Sequence, residues 1–287
     1  MLLEQLGRHL PLRLACRSLK RTTFNLQCSN SRWQSSATAD GLPVTDTNRA
    51  EATQKRFWKD VGIERRGDLL AVTLDRRALK TPSGKTLLIP VDKTLSASLI
   101  AAEWDHQEIL LKPHALPMTS IVSRAVDAMV DEETRAEVRD ALVKYIHTDT
   151  VCFFHDYPEP LEKLQSKHWT PLLDWARDTF DVKIDVSNSI MSVRQPVETQ
   201  NKLLEVMKSL DHWEMAALER ATYASKSLII ALALVKKHMS VEDAALAATV
   251  EVNSQIERWG EVEDTHDVDY QDVRRQLGSA ACLISTV

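Results

Sequence analysis

Apolar residues recur along this chain with two different periods. From Lys55 to Val91 they form short runs, at Phe57–Ile63, Leu69–Leu74, Ala78–Lys80 and Thr86–Val91, separated by turn-forming residues. Turns fit at Arg66-Gly67-Asp68, Asp75-Arg76-Arg77 and Pro82-Ser83-Gly84. The pattern predicts a small antiparallel sheet. Beyond it the spacing changes to three and four, which predicts helices. Asp92 can cap the first of these, through Leu95, Leu99 and Ala102 toward His106. Pro113 and Pro117 interrupt, Ile121, Val122, Ala125 and Met129 mark a second helix, and Asp131 caps a third with Val138, Leu142, Tyr145 and Ile146 inward. Thr150–Phe154 reads as a strand that either rejoins the sheet or bridges two layers. After Leu161 the chain is almost wholly helical. Asp211 caps a long helix whose stripe is Trp213, Ala217, Ala221, Ala224, Leu228, Leu232 and Val235, closed by Lys236 and Lys237. Ser240 starts another, with Val241, Ala245, Ala248, Val252, Ile256 and Trp259 on one face and Gly260 as its stop. Asp181–Pro196 is the irregular stretch, a hairpin or an extended loop. The expected class is α+β, with an N-terminal sheet-bearing region over 55–113 and a mainly helical region over 114–287.

The first 36 residues break the pattern. Arg8, Arg13, Arg17, Lys20, Arg21 and Arg32 face one acid, Glu4, among Leu, Ser and Thr, as in a mitochondrial transit peptide. Residues 37–54, small and polar with Gly and Pro, read as a disordered linker. Removing a segment of net charge +5 from a chain of net charge −5 leaves about −10, which argues against general nucleic-acid binding. The longest apolar run, Leu228–Val235, is far short of the ~20 residues of a membrane helix. Seven glycines in 287 residues are too few for Gly-rich phosphate loops or an all-β sandwich. Four cysteines, Cys16, Cys28, Cys152 and Cys282, form no CxxC pair, so neither a disulfide framework nor a zinc site is indicated.

Candidate chemistry is sparse. Gly84-Lys85-Thr86 copies the end of a phosphate-binding loop, but position 79 is Leu and a strand follows where that motif needs a helix. His147, Thr148, Asp149, Thr150 and Cys152 bring a base, an acid and a nucleophile together in sequence, although a helix end satisfying backbone groups explains them better. Glu103-Trp104-Asp105 cannot share one helical face, so Trp104 is expected to pack while one or both acids reach the surface. If Trp104 is fully buried, its replacement by Ala would cost ~3–5 kcal/mol. After Gly260 come Glu261, Glu263, Asp264, Asp267, Asp269 and Asp272, with His266 the only possible cation before Arg274. No glycine at calcium-loop spacing follows Asp264, so the segment reads as solvated charge or as an electrostatic docking surface. No catalytic residue, metal site or cofactor is assigned.

The series RFWKDVGI, LDRRALKTPSGKTLLIP, AAEWDHQ, HTDTVCF, HWTPLLDWA and WGEVEDTHDVDY, spanning residue 55 to the end, resembles the ATP12 family. These are mitochondrial assembly chaperones for the α subunit of the ATP synthase catalytic head. The resemblance implies a non-enzymatic, monomeric matrix protein that binds the free α subunit, shields the surface later buried against β, and releases it as the hexamer forms. It also implies an N-terminal α+β domain followed by an orthogonal helical bundle. The acid of the family's WGxVE motif falls on Glu263, the tryptophan of its EWD motif on Trp104, and the HD that follows on Asp267. Glu261, Glu263, Asp264 and Asp267 are therefore the expected partner-binding residues, and Glu103, Trp104, Asp105 and Trp259 structural or partner-binding ones. Two alternatives are a small-molecule enzyme using His147 with Asp149, or His266, and a peripheral structural subunit of the synthase.

Overall fold

Six residues of near-continuous burial anchor the sheet. Strand β2 (Leu69–Leu74) is buried from Leu70 onward and pairs on one side with β1 (Val61–Arg66), in antiparallel register from Val61 opposite Leu74 to Arg66 opposite Leu69. On its other side it pairs with β3 (Arg77–Ala78) and β4 (Leu88–Pro90), completing a 4-stranded antiparallel sheet. The turn after β1 uses Gly67 at φ 65°. The next one holds Asp75 and Arg76 at positive φ, and the Asp75 carboxylate accepts the N–H groups of Lys59 and Asp60. The Gly84-Lys85-Thr86 stretch is a turn that returns the chain to the Lys80–Thr86 bridge. It caps no helix.

The structure is a computed structural model and describes residues 55–189 and 193–286. The transit-peptide and linker expectations, and with them Cys16 and Cys28, lie outside the described residues. Those that are described belong to one compact unit, residues 46–287.

Helix α1 (Thr94–Asp105) covers β1 and β2 and leads to α2 (Pro117–Asp127) and α3 (Glu132–Val143). Asp131 caps α3 by accepting the N–H of Thr134 at 2.8 Å. Asp92, in contrast, lies in a 3-10 turn before α1 and makes no capping bond; Lys93 occupies the cap position. The lysine is buried there, and its ammonium donates to the carbonyl of Leu283, at the far end of the chain, at 2.9 Å. Thr150–Cys152 is a 3-10 turn instead of the expected strand, and Phe153 makes only an isolated bridge to Ser187. Residues 182–189 form no strand beyond the single bridge at Ser187 and no hairpin within the described residues.

Helix α4 (Glu159–His168) packs on α5 (Thr170–Phe180), α6 (Val197–Lys208) packs on α3, and α5 packs on α8 (Leu228–Val235), which lies against α7 (His212–Ser225). Every residue of α8 is buried, as expected for a helix apolar all round. The predicted single helix from Trp213 to Val235 is broken at Lys226, which takes left-handed φ of 57°. Ser227 then caps α8 through the N–H of Ile230, and Asp149, distant in sequence, caps it as well. Likewise, the expected helix from Ser240 to Gly260 is two, α9 (Val241–Ala248) and α10 (Val250–Trp259), joined at Thr249. The last helix, α11 (Thr265–Leu283), packs on α7, α2, α9 and α1. Its first turns carry Asp267 and Asp269 of the acidic run, both exposed. A small antiparallel sheet followed by a helical C-terminal region is the α+β class the pattern predicted.

Candidate functional site

Two helices meet at a sharp elbow near the C-terminus. Helix α10 stops because Gly260 takes φ 86°, which a side-chained residue rarely adopts, and its N–H returns to the carbonyl of Ile256 at 2.8 Å. Glu261–Asp264 link it to α11. The N–H of Val262 donates to Nδ1 of His266 at 2.9 Å, tying the link to the first turn of α11. Asp264 itself sits at φ 67°, an unfavourable backbone state for a non-glycine residue.

Large apolar side chains lie open here. Trp259 is 70% exposed and Tyr157 72%, while Val262, Val268 and Tyr270 are also exposed. Arg258 joins the first two, its guanidinium 5.5 Å from the Tyr157 ring and 5.0 Å from that of Trp259. The sequence stripe had placed Trp259 on a core-facing side; at the last turn of α10, however, that face runs past the core into solvent.

Charge is segregated along α11. Glu261, Glu263, Asp264, Asp267 and Asp269 are exposed, and none belongs to an ion pair among the described residues. The cations further along are engaged: Arg274 makes a two-point contact with Glu242, which lowers that carboxyl, and lies 3.3 Å from the centre of the Tyr270 ring. Arg275 pairs with Asp272 and donates to the carbonyl of His114. Acids at a helix N-terminus are favoured by the dipole, so the cluster need not strain α11. Beneath the elbow lies a cavity of about 250 Å³ bordered by Ala224, Val252, Ile256, Glu261, Asp269 and Val273. Of these lining residues, Glu261 was singled out in the sequence as a site residue and Asp269 as part of the acidic run; Ala224, Val252, Ile256 and Val273, like Tyr157, were not. Their signal is weak, since Tyr157 stands in a proline-flanked loop and the others read as ordinary core positions.

The Glu103-Trp104-Asp105 trio sits on α1, a different element. Trp104 is half-buried, its ring 5.0 Å from Trp58 and its Nε1 donating to Thr119 Oγ1 at 3.0 Å. Glu103 reaches across to α2, accepting the N–H groups of Met118 and Thr119 at 2.6 and 2.9 Å and the Thr119 hydroxyl at 2.7 Å. Burial raises its carboxyl above the ordinary range despite those bonds. Asp105 is exposed, 3.8 Å from Arg56.

The His147–Cys152 stretch does not converge. Asp149 is fully buried, and its carboxylate accepts from Leu228 at 2.8 Å, Ile229 at 3.1 Å and Val151 at 3.3 Å. Burial pushes it up to about 6 and drives the Cys152 thiol upward as well. His147 Nδ1 accepts the backbone N–H of Gln195. A carboxylate saturated by backbone donors is not free to orient a base. Among the described residues no group of three or more His, Cys, Asp and Glu is arranged to hold a metal, and no helix is long and apolar enough to cross a membrane.

An antiparallel sheet of four strands leading into packed helices, with exposed acidic and aromatic side chains meeting at an elbow, defines an α+β protein. Residues 55–177 match the family described as ATP12 chaperone protein. The chain is 33% identical over 241 residues to "Protein atp12, mitochondrial" of Schizosaccharomyces pombe, covering 80% of this chain and 81% of that one. It is 29% identical over 285 residues to "Protein ATP12, mitochondrial" of Saccharomyces cerevisiae, covering 85% and 88%. The crystal structure of Atp12 from Paracoccus denitrificans superposes with a TM-score of 0.67 at 28% identity, covering 80% of this chain and 97% of that one. The chain belongs to the ATP12 chaperone family. Of the exposed residues at the elbow, Tyr157 lies within the span that the family match covers and the others lie beyond it.

Proposed function

We propose that this protein is an assembly chaperone of the mitochondrial ATP synthase, acting in the matrix as a monomer on the free α subunit of the catalytic head. It holds α soluble and delivers it for assembly with β. The observation that carries the reading is the elbow, where Tyr157, Trp259, Val262, Val268 and Tyr270 lie exposed beside Glu261, Glu263, Asp264 and Asp267, none of these acids ion-paired among the described residues. Exposed apolar side chains rimmed by charge mark interaction surfaces. The charged rim speeds encounter and allows release, which a chaperone needs and a permanent subunit does not. Membership of a family described as chaperones supports the same reading, as do relatives named mitochondrial. Glu103 and Trp104 then serve the fold, because their polar atoms are spent on α2, while Glu263 and Asp267 meet the client. A boundary near residue 113 separates the sheet-bearing region from the helical one.

The test is light scattering of freshly diluted α subunit, with and without an equimolar amount of residues 37–287 and without nucleotide. The expected result is suppressed aggregation and a soluble 1:1 complex on gel filtration. Unchanged scattering with no complex overturns the assignment to α.

A further inference from the structure

The cavity under the elbow has walls and a mouth of different chemistry. Ala224, Val252, Ile256 and Val273 supply apolar walls from α7, α10 and α11, and Glu261 and Asp269, both exposed, stand at its opening. Neither carboxylate is ion-paired within the chain among the described residues; Lys226 also borders the space, as does His266, whose Nδ1 accepts the N–H of Val262. At about 250 Å³ it is smaller than the ~300–1,000 Å³ of small-molecule sites. It is larger than the ~150 Å³ apolar cavity that takes a benzene ring. Its size therefore suits one long side chain. A side chain with an apolar stem and a cationic head matches both the walls and the mouth.

We propose that this cavity receives a single arginine or lysine side chain of the client subunit. The methylenes lie against Val252, Ile256, Ala224 and Val273, and the head group lies between Glu261 and Asp269. This rests on the chaperone reading above and gives it a point of recognition distinct from the outward face of Glu263 and Asp267.

The test measures affinity for α with the chain of residues 37–287. Asp269→Asn should weaken binding about tenfold, and Ala224→Leu, which fills the cavity without altering charge, by a similar factor. Lys226→Gln, which removes the opposing cation, should tighten it severalfold. A purely structural role for these residues gives no such change of sign. Unaltered affinity in both Asp269→Asn and Ala224→Leu, with melting temperatures unchanged, overturns the proposal.

A second arm does not use the client. N-acetyl-alanyl-arginyl-alanine amide is titrated against the methyl NMR signals of Val252 and Ile256, with a norleucine peptide as control. Shifts with the arginine peptide alone support the site; no shift, or equal shifts with both, overturns it. Should the chain fail to bind α, the assignment of client falls while the peptide arm still decides the cavity.

Discussion

Replacing Asp149 by Asn would separate the charge of a wholly buried cap from its shape. Burial lifts this carboxyl from the ordinary 3.8 to about 6, against the N–H bonds from Ile229, Val151 and Leu228 that pull it down. An acid with a higher pKa folded than unfolded holds more protons in the folded state, so its contribution to stability falls as pH rises from about 3.8 through about 6. Two units correspond to ~3 kcal/mol once both states are ionised. Relative to a group that does not titrate, the wild type is therefore penalised by about 3 kcal/mol near pH 7.5 and by about 1 kcal/mol near pH 4.5. Asparagine keeps the shape but turns an amide N–H₂ toward a position where an oxygen accepts, a cost of ~1–3 kcal/mol at either pH. The stability advantage of wild type over Asp149→Asn should accordingly be about 2 kcal/mol larger near pH 4.5 than near pH 7.5. Urea denaturation of both proteins at both pH values gives this double difference, in which the other titrating groups cancel. A double difference indistinguishable from zero would refute the argument that Asp149 is a buried, charged cap.

Other substitutions separate contact from fold. Glu263→Lys should leave the melting temperature nearly unchanged, within the ~0.5 kcal/mol typical of surface positions, while α binding measured by interferometry falls about tenfold. Glu103→Ala removes the acceptor for two N–H groups at the start of α2 and should lower stability by ~1–2 kcal/mol in a thermal melt, with client affinity retained. Trp104→Ala should cost less than full burial would imply, ~2–3 kcal/mol by urea titration, since the side chain is only partly buried. Lys93→Met removes the donor to the Leu283 carbonyl and should destabilise by ~1–2 kcal/mol, seen as early fraying of the C-terminus by hydrogen exchange.

What the sequence made legible was local. Gly67 and Gly84 marked turns, and Asp131, Asp211 and Ser240 were recognisable caps whose side chains do accept from the third residue on. The misread places are those where a distant group decides. The stripe from Trp213 to Val235 is continuous, yet Asp149 stabilises a fresh helix start at Leu228 across 79 positions, which lets Lys226 take its left-handed turn. Ser227 before an apolar run was a local sign of that break. Asp92 looked like a cap, but Lys93 is drawn to the end of the chain and the cap position with it. At the elbow the acids were plain as charge, whereas the cavity beneath them depends on how α7 ends and α10 begins, which no periodicity encodes.

The bond from Lys93 to Leu283 spans 190 positions, and Ser96 reaches Cys282 in the same way. A chain emerging from its N-terminus can build the sheet early and lay α1 upon it, but Lys93 and Ser96 at the start of α1 meet these partners only when the final turns of α11 arrive. Such distant closure slows folding, since the intervening loop must be confined before any contact rewards it. The elbow stands at the start of this same last helix. Its acidic, aromatic surface is therefore completed only with that last helix, so the contact proposed for it is open to the finished chain alone.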